Sequence, residues 1–382
     1  MEWKIPLSDI DLGEEEVEEV LKVLKSKWLS MGPVTQRFEE EFANYLGVKH
    51  AFGVSSGTAA LHIALKAWGI KGGDEVIVPS LTFVATANSL LYCGAKPVFA
   101  DITNLDNFNI SPDDILEKIT SKTKAITIVH YGGYPCDMNA IMEIAEDHNL
   151  KIIEDAAHAP GAEYKGRKCG TIGDVGCFSF FANKNLVTGE GGMIVTNDDS
   201  LAEKIRIMRS HGMTTLTWDR HKGHAHSYDV VDLGFNYRIN EIVSALGLVQ
   251  LKKLNKNNEK RRKIVEEYRK GLGKISVISV PFTDCKEKSS YHIFPILLSE
   301  DTSRNEFIDK IKEKGIQTSI HYPPIHLFTH YRKMFGFEEG MLPKTEFIGE
   351  HEVTLPLHPL MNEEEVEYIA NCIEEIIVDN KT

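Results

Sequence analysis

A chain of 382 residues, 42% hydrophobic and 26% charged, has the composition of a globular protein and is long enough for one large domain plus a smaller one. Its 43 basic and 56 acidic residues leave a formal net charge of -13, which disfavours general nucleic-acid binding while leaving room for small anions in a locally basic or dipolar pocket. No apolar run approaches the roughly 20 residues that cross a bilayer, and Met1-Glu2-Trp3-Lys4-Ile5-Pro6 lacks a signal peptide's apolar core, so no membrane contact and a cytoplasmic location are expected.

The first expected helix covers 13–27, with Glu14, Glu15 and Glu16 in its first turns and lysines in its last, a polarity that complements the helix dipole. Lys27-Trp28-Leu29-Ser30-Met31-Gly32-Pro33 breaks it. A second helix over 35–46 carries Phe38, Phe42 and Tyr45 at helical spacing, which reads as a core face, and stops at Gly47. A short strand then leads through Ser55-Ser56-Gly57-Thr58 into a strongly helical stretch over 59–68. Free backbone N–H groups and hydroxyls at the positive end of a helix make a phosphate cup, although a plain Ser or Thr N-cap explains the same residues. The turn is neither a Walker loop nor a Gly-x-Gly-x-x-Gly dinucleotide turn.

From 74 to 200, apolar runs at 75–78, 97–100, 125–129, 151–154, 176–181 and 193–195 alternate with helical segments, the pattern of a mostly parallel sheet covered on both faces. Ligands of such sheets gather at the carboxyl ends of the strands, where three residues stand out. Phe83 follows the run at 75–78 and has a ring suited to stacking on a flat cofactor or to core packing. Asp155 closes 151–154, placed to pair with a protonated pyridine nitrogen or to cap the next turn. Lys184 lies between the run at 175–181 and the tight Gly189-Glu190-Gly191-Gly192 turn, and forms a Schiff base with an aldehyde if its neighbours lower its pKa. Pyridoxal phosphate is the one cofactor that needs an anion cup, an aromatic face, a carboxylate and a lysine together.

Further on, 213–231 holds Trp218, Arg220, His221, Lys222, His224, His226 and Tyr228. No cysteine or carboxylate arrangement completes a metal site with those histidines, so a loop near the ligand or a subunit interface is the better reading. The six cysteines (Cys93, Cys136, Cys169, Cys177, Cys285, Cys372) lack Cys-x-x-Cys spacing, which points to free packed thiols and no zinc. Beyond 240, a helix over 241–271, strands at 275–280 and 292–298, and helices at 304–314 and 362–377 suggest a smaller α+β domain. The expected division is a large cofactor-binding domain over 1–240, with an N-terminal helical arm, and a small domain over 241–382.

Stretches along nearly the whole chain resemble the DegT/DnrJ/StrS family of sugar aminotransferases. They are Trp28-Leu29-Ser30-Met31-Gly32-Pro33, Ser55-Ser56-Gly57-Thr58-Ala59-Ala60-Leu61, Val78-Pro79-Ser80-Leu81-Thr82-Phe83, Gly133-Tyr134-Pro135-Cys136-Asp137-Met138, Glu154-Asp155-Ala156-Ala157-His158, the Lys184 stretch, and Gly234-Phe235-Asn236-Tyr237-Arg238. The resemblance implies an α/β protein of the PLP-dependent transferase fold type I, with a mostly parallel seven-stranded sheet flanked by helices. It implies that Lys184 binds the cofactor aldehyde, that Asp155 holds the ring nitrogen, and that Gly57, Thr58 and Ser179 bind the phosphate, with Phe83 stacked on the ring and His158 close by. Asn236 would reach the phosphate from a second subunit, giving a homodimer with a shared active site. Ser319-Ile320-His321-Tyr322-Pro323-Pro324-Ile325-His326 and Tyr331 resemble the family's nucleotide-sugar-facing segment, so His321, Tyr322, His326 and Tyr331, together with Trp28, are the expected substrate residues.

A related branch that dehydrates sugars has histidine in place of Lys184, so lysine here favours transamination. The implied reaction moves an amino group from glutamate (or glutamine) to a keto group of a nucleoside-diphosphate-linked deoxy sugar by a ping-pong route, with cell-surface polysaccharide as one destination. The alternatives are a cyclitol ketone or other non-nucleotide substrate, or a non-enzymatic regulator. Lys184, Asp155 and the want of a basic helix-turn-helix weigh against the regulator.

Overall fold

The computed structural model describes residues 3–215, 227–275 and 277–379. The loop histidines His221, His224 and His226 lie outside the described residues. Seven strands form the main sheet: β1 (His50–Val54), β2 (Glu75–Pro79), β3 (Lys96–Ala100), β4 (Thr123–Val129), β5 (Lys151–Asp155), β6 (Val175–Ser179) and β7 (Gly192–Thr196). Their spatial order is β1-β7-β6-β5-β4-β2-β3. β3, β2, β4, β5 and β6 run parallel, while β7 is antiparallel to both its neighbours. All residues of β2 and β7 are buried, as expected of strands covered on both faces.

The two faces are separated by the period-two alternation of the strands. Val175 and Cys177 of β6 join the core built on α3 (Gly57–Ala67), a helix apolar nearly all round and therefore buried. Phe178, between the strand residues of the other face, points to α2 (Pro33–Leu46), where its ring meets Phe42 at 5.2 Å while Phe180 meets Phe38 at 5.5 Å. Helices α4 (Ala85–Tyr92), α5 (Met138–Asp147) and α6 (Asp199–Met208) complete the layers, and α1 (Glu14–Ser26) precedes them in the chain.

A 32-residue helix, α7 (Glu241–Leu272), runs on to a second, antiparallel sheet of β8 (Ile278–Ser279), β9 (Phe294–Leu298) and β10 (Glu352–Leu355). α8 (Arg304–Glu313), α10 (Pro343–His351) and α11 (Glu363–Asp379) follow in this part of the chain, while α9 (Thr329–Phe335) packs on the first sheet's core through Tyr331. Ile264, Val265, Tyr268 and Leu272 of α7 share this sheet's core with Phe294, Ile296 and Val353. So does Ile5, which bridges Ile316, so the second core also recruits the chain's N-terminal segment and a cut at residue 240 does not separate the two cores.

One boundary and one strand depart from the sequence reading. α2 starts at Pro33 because Glu241 accepts hydrogen bonds from the N–H groups of Gly32 (2.9 Å), Val34 (2.9 Å) and Thr35 (2.8 Å), capping the helix from 206 or more positions away. β10 contains Glu352 and Thr354, polar residues that break an apolar run yet are fully buried. Five cysteines are buried, Cys285 is half-buried, and all six are free. Among the described residues no helix is long and apolar enough to cross a membrane.

Candidate active site

The carboxyl ends of β5 and β6 and the N-terminus of α3 converge. Cys177 pairs with Asp155 across the two strands, and two residues on, at the end of β6, Ser179 stands against Gly57. A Cβ on Gly57 would lie 2.8 Å from the Ser179 Cβ, so only glycine admits this approach. Ser56 caps the helix, its Oγ accepting from Ala59 N (3.1 Å) and its carbonyl from Ala60 N (3.1 Å). The N–H groups of Gly57 and Thr58 belong to the first turn and have no intrahelical acceptor. The N-cap and the anion cup are therefore the same structure, a capped helix whose next two donors face an anion's place. Gly192 of β7 passes so close that its Cβ would sit 2.6 Å from the Ser56 carbonyl carbon.

Asp155 is buried, its Oδ2 accepting from Thr86 Oγ1 (2.8 Å) and its Oδ1 from Ala157 N (3.2 Å). Burial pushes its pKa up, and those two hydrogen bonds and the Lys184 charge oppose the rise. Lys184 keeps part of its side chain open to the pocket, while its amine is enclosed. Desolvation pushes that amine down to about 8, with Asp155 acting the other way. The lysine loop is closed by a Phe181–Gly189 bridge and by Phe180 N donating to Gly191 O (2.9 Å).

His158 follows Asp155 in the turn, buried, with Nε2 3.1 Å from the Tyr322 hydroxyl and its ring 4.3 Å from that of His292. Its Nδ1 has no hydrogen-bond partner among the described residues. The Phe83 ring, 56% exposed, stands 6.2 Å from the Tyr322 ring. His321 donates its backbone N–H to Glu352 (2.8 Å) and pairs its Nδ1 with Thr354 Oγ1 (2.8 Å).

Other expected residues are not brought to this cluster. His326 is 1% exposed and both its ring nitrogens are engaged, Nδ1 with Ser80 Oγ (2.7 Å) and Nε2 with Glu346 (2.9 Å). Tyr331 is equally buried, its hydroxyl donating to Asn88 at 2.7 Å and its ring packed on Phe99. In this structure both serve as structural ties, His326 through both ring nitrogens and Tyr331 through its hydroxyl proton. Trp28 lies against Gly32, in the turn pinned by Glu241. Asn236 is exposed and bridges Ser210, while the next carbonyl, of Tyr237, accepts from Ser55 N at 2.8 Å beside the cup.

Three participants were not expected. Thr86 stands one helical turn after Phe83, a spacing that could have revealed it. His292 and Asn185 had no such signal, because His292 reads as the first residue of a strand and Asn185 as part of the lysine loop.

A lysine amine desolvated beside a buried carboxylate, at the carboxyl edge of this sheet, with helix donors and a glycine-lined cradle next to it, suits pyridoxal phosphate and defines the class as a fold type I transferase that uses this cofactor. The sequence profile of the DegT/DnrJ/EryC1/StrS aminotransferase family matches residues 10–374, and the chain belongs to that family. It is 40% identical to the spore coat polysaccharide biosynthesis protein SpsC of Bacillus subtilis, over 98% of this chain and 96% of SpsC. Helicobacter pylori PseC, an aminotransferase involved in the biosynthesis of pseudoaminic acid, superposes with a TM-score of 0.91 at 35% identity, covering 98% and 99% of the two chains. The PLP form of Spr1654 from Streptococcus pneumoniae superposes at 0.90 with 32% identity, covering 97% and 98%. The chain is a pyridoxal-phosphate-dependent sugar aminotransferase.

Proposed function

We propose that the chain moves an amino group from glutamate, or glutamine, to the ketone of a deoxy sugar carried on a nucleoside diphosphate, in two half-reactions with ping-pong kinetics. The observation that carries this reading is the Lys184 amine, lowered to about 8 by desolvation and facing Asp155. Pyridoxal phosphate, when bound, supplies an electron sink for the pair left by a broken C–H bond.

The chain's own residues do the rest. Gly57, Thr58 and Ser179 would hold the phosphate at the α3 N-terminus. Asp155, oriented by Thr86, would hold the ring nitrogen, and Phe83 would lie against the ring. With the cofactor bound, Lys184 would be the group that takes up and gives back a proton at Nζ, working as base and then acid close to its own pKa. His158 presents an unpartnered Nδ1 in the same pocket, and Tyr322 and His321 are the expected sugar-nucleotide residues that remain beside it. SpsC and PseC, named for polysaccharide and pseudoaminic acid biosynthesis, support a sugar product of that kind.

A homodimer completes the reading, Asn236 reaching the partner's phosphate cup. Val230 (56%), Val231 (56%) and Leu233 (69%) are exposed just before Asn236, an apolar stretch that a second subunit would cover.

Absorbance spectra of wild type and Lys184→Ala, each with pyridoxal phosphate and then glutamate, test the anchor. Wild type is expected to show a band at ~410 to 430 nm that moves to ~330 nm with glutamate, and the variant to lack it. The same band in Lys184→Ala removes the anchor. A panel of nucleotide-linked keto sugars, free keto sugars and cyclitol ketones then tests the substrate, and turnover confined to the unlinked ketones overturns the nucleotide assignment.

A further inference from the structure

His292 is buried two residues before β9, with Nε2 3.4 Å from Lys184 Nζ and Nδ1 3.0 Å from Asn185 Oδ1. The Asn185 amide cannot turn round. Its Nδ2 donates to the Ser290 carbonyl (2.7 Å) and to Asn258 Oδ1 (2.8 Å), and Asn258 Nδ2 donates to the Pro160 carbonyl (2.8 Å). Carbonyl oxygens only accept, so the two backbone carbonyls fix both amides, and Asn185 turns its own oxygen to the imidazole. That oxygen also only accepts. The His292 proton therefore stands on Nδ1, and Nε2 turns a lone pair to the lysine.

The imidazole's backbone is held as firmly. Arg261 Nη1 donates to the carbonyls of His292 (3.2 Å) and Leu357 (2.8 Å). All of these groups are buried, so each of the bonds is shielded from competing water.

We propose that His292, fixed in its Nδ1–H tautomer through Asn185 and Asn258, accepts a hydrogen bond from Lys184 Nζ and so keeps the amine's lone pair turned away from the imidazole. This rests on the reading of Lys184 as the amine that carries the cofactor. An amine on a four-carbon stem rotates freely, and a base has to present its lone pair to one carbon. One N–H held by His292 restricts that rotation and leaves the lone pair two of its three staggered directions. His292 is thus a positioning residue, acting through Lys184.

The other groups facing the amine are Asp155 at the end of β5, His158 in the turn after it and His321 in the segment before α9, with the Tyr322 hydroxyl on His158 and the Arg261 guanidinium behind His292. Burial first, and the Lys184 charge second, hold His158, His292 and His321 below the ordinary imidazole value. The three imidazoles are neutral, and the proton shared by Lys184 and His292 rests on the lysine. A neutral acceptor beside an ammonium favours the charged form, so its removal lowers the lysine's pKa.

The test follows the rate at which cofactor-free protein captures pyridoxal phosphate, measured by absorbance across pH, because capture needs the neutral amine. The midpoint for wild type is expected near about 8. In His292→Leu it should fall by about one pH unit, the effect of losing one hydrogen bond from a charged donor. His292→Gln, whose amide oxygen reaches the place of Nε2, should restore the wild-type midpoint. A His292→Leu midpoint equal to wild type in folded protein, or equal shifts in the leucine and glutamine variants, overturns the proposal. If His292→Leu fails to fold, the 15N spectrum of histidine-labelled wild type without cofactor decides, since an Nε2–H tautomer at His292 excludes the acceptor role. Lys184→Ala capturing at the wild-type rate and pH dependence would instead remove the reading of Lys184 itself.

Discussion

Gly57→Ala should weaken the hold on cofactor phosphate without unfolding the chain. The added methyl would lie 2.8 Å from Ser179 Cβ, 3.3 Å from its Oγ and 3.4 Å from its Cα. Carbon atoms settle about 3.5 to 4.0 Å apart, so the gap between α3 and β6 must open by roughly 0.7 to 1.2 Å. Ser179 cannot give way, because it closes a strand and pairs with Gly192. The helix end has to move, and the N–H groups of Gly57 and Thr58 move with it. Overpacking of this kind costs about 1 to 3 kcal/mol, and a hydrogen bond to a charged group contributes about 1.5 to 3 kcal/mol. Losing the geometry of one such bond raises the Kd for pyridoxal phosphate roughly 10- to 100-fold. The measurement is a titration of cofactor-free protein, with thermal melting as the check on folding. Gly57→Ala combined with Ser179→Gly, which removes the opposing Cβ, should recover the steric part and show a coupling of about 1 kcal/mol. Binding by Gly57→Ala within twofold of wild type would refute the argument that this contact shapes the cup.

Two further outcomes follow from buried carboxylates. Burial raises the Glu352 pKa from 4.5 to about 8, against the opposing hydrogen bonds from Thr354 and His321 and the charge of Arg304. The folded form therefore binds a proton that the unfolded form has released, and the associated stability is full below pH 4.5 and lost as pH rises through about 8. Urea unfolding should show a fall of up to about 4 to 5 kcal/mol across that window in wild type relative to Glu352→Gln, and parallel curves for the two would exclude it. Thr86→Val keeps the shape of the side chain and removes the 2.8 Å donor to Asp155, so turnover should fall about tenfold with little change in melting temperature. Turnover within twofold of wild type would show that Asp155 needs no such partner.

Most of the sheet was legible because its strands are continuous apolar runs, each followed by a helix or turn, and the residues proposed at their carboxyl ends stand out by type. Lys184, Asp155 and Gly57 are local features, each set by the strand or helix beside it. His292 and Asn185 were not legible, since their part depends on a contact across 107 or 108 residues that no periodicity records. The same limit explains Glu352 and Thr354, whose polarity hid a strand that folding buries. His326 and Tyr331 show the opposite case. Their residue types suit a nucleotide, but Glu346, Ser80 and Asn88 engage their polar atoms first. A residue's type shows what it can bind, and only its neighbours show whether it is still available.

The long helix α7 has a mechanical consequence. At 1.5 Å per residue its 32 residues span roughly 48 Å. Glu241 at its start ties down the turn at Gly32, Asn258 and Arg261 in its middle brace Asn185 and His292, and Tyr268 and Leu272 near its end are rooted in the other sheet's core. One stiff rod thus carries both the foundation of the second sheet and the brace behind the lysine. Any swing of that sheet about the first would drag the brace with it, so the distance at Lys184 works as a gauge of how the two halves of the protein stand to one another.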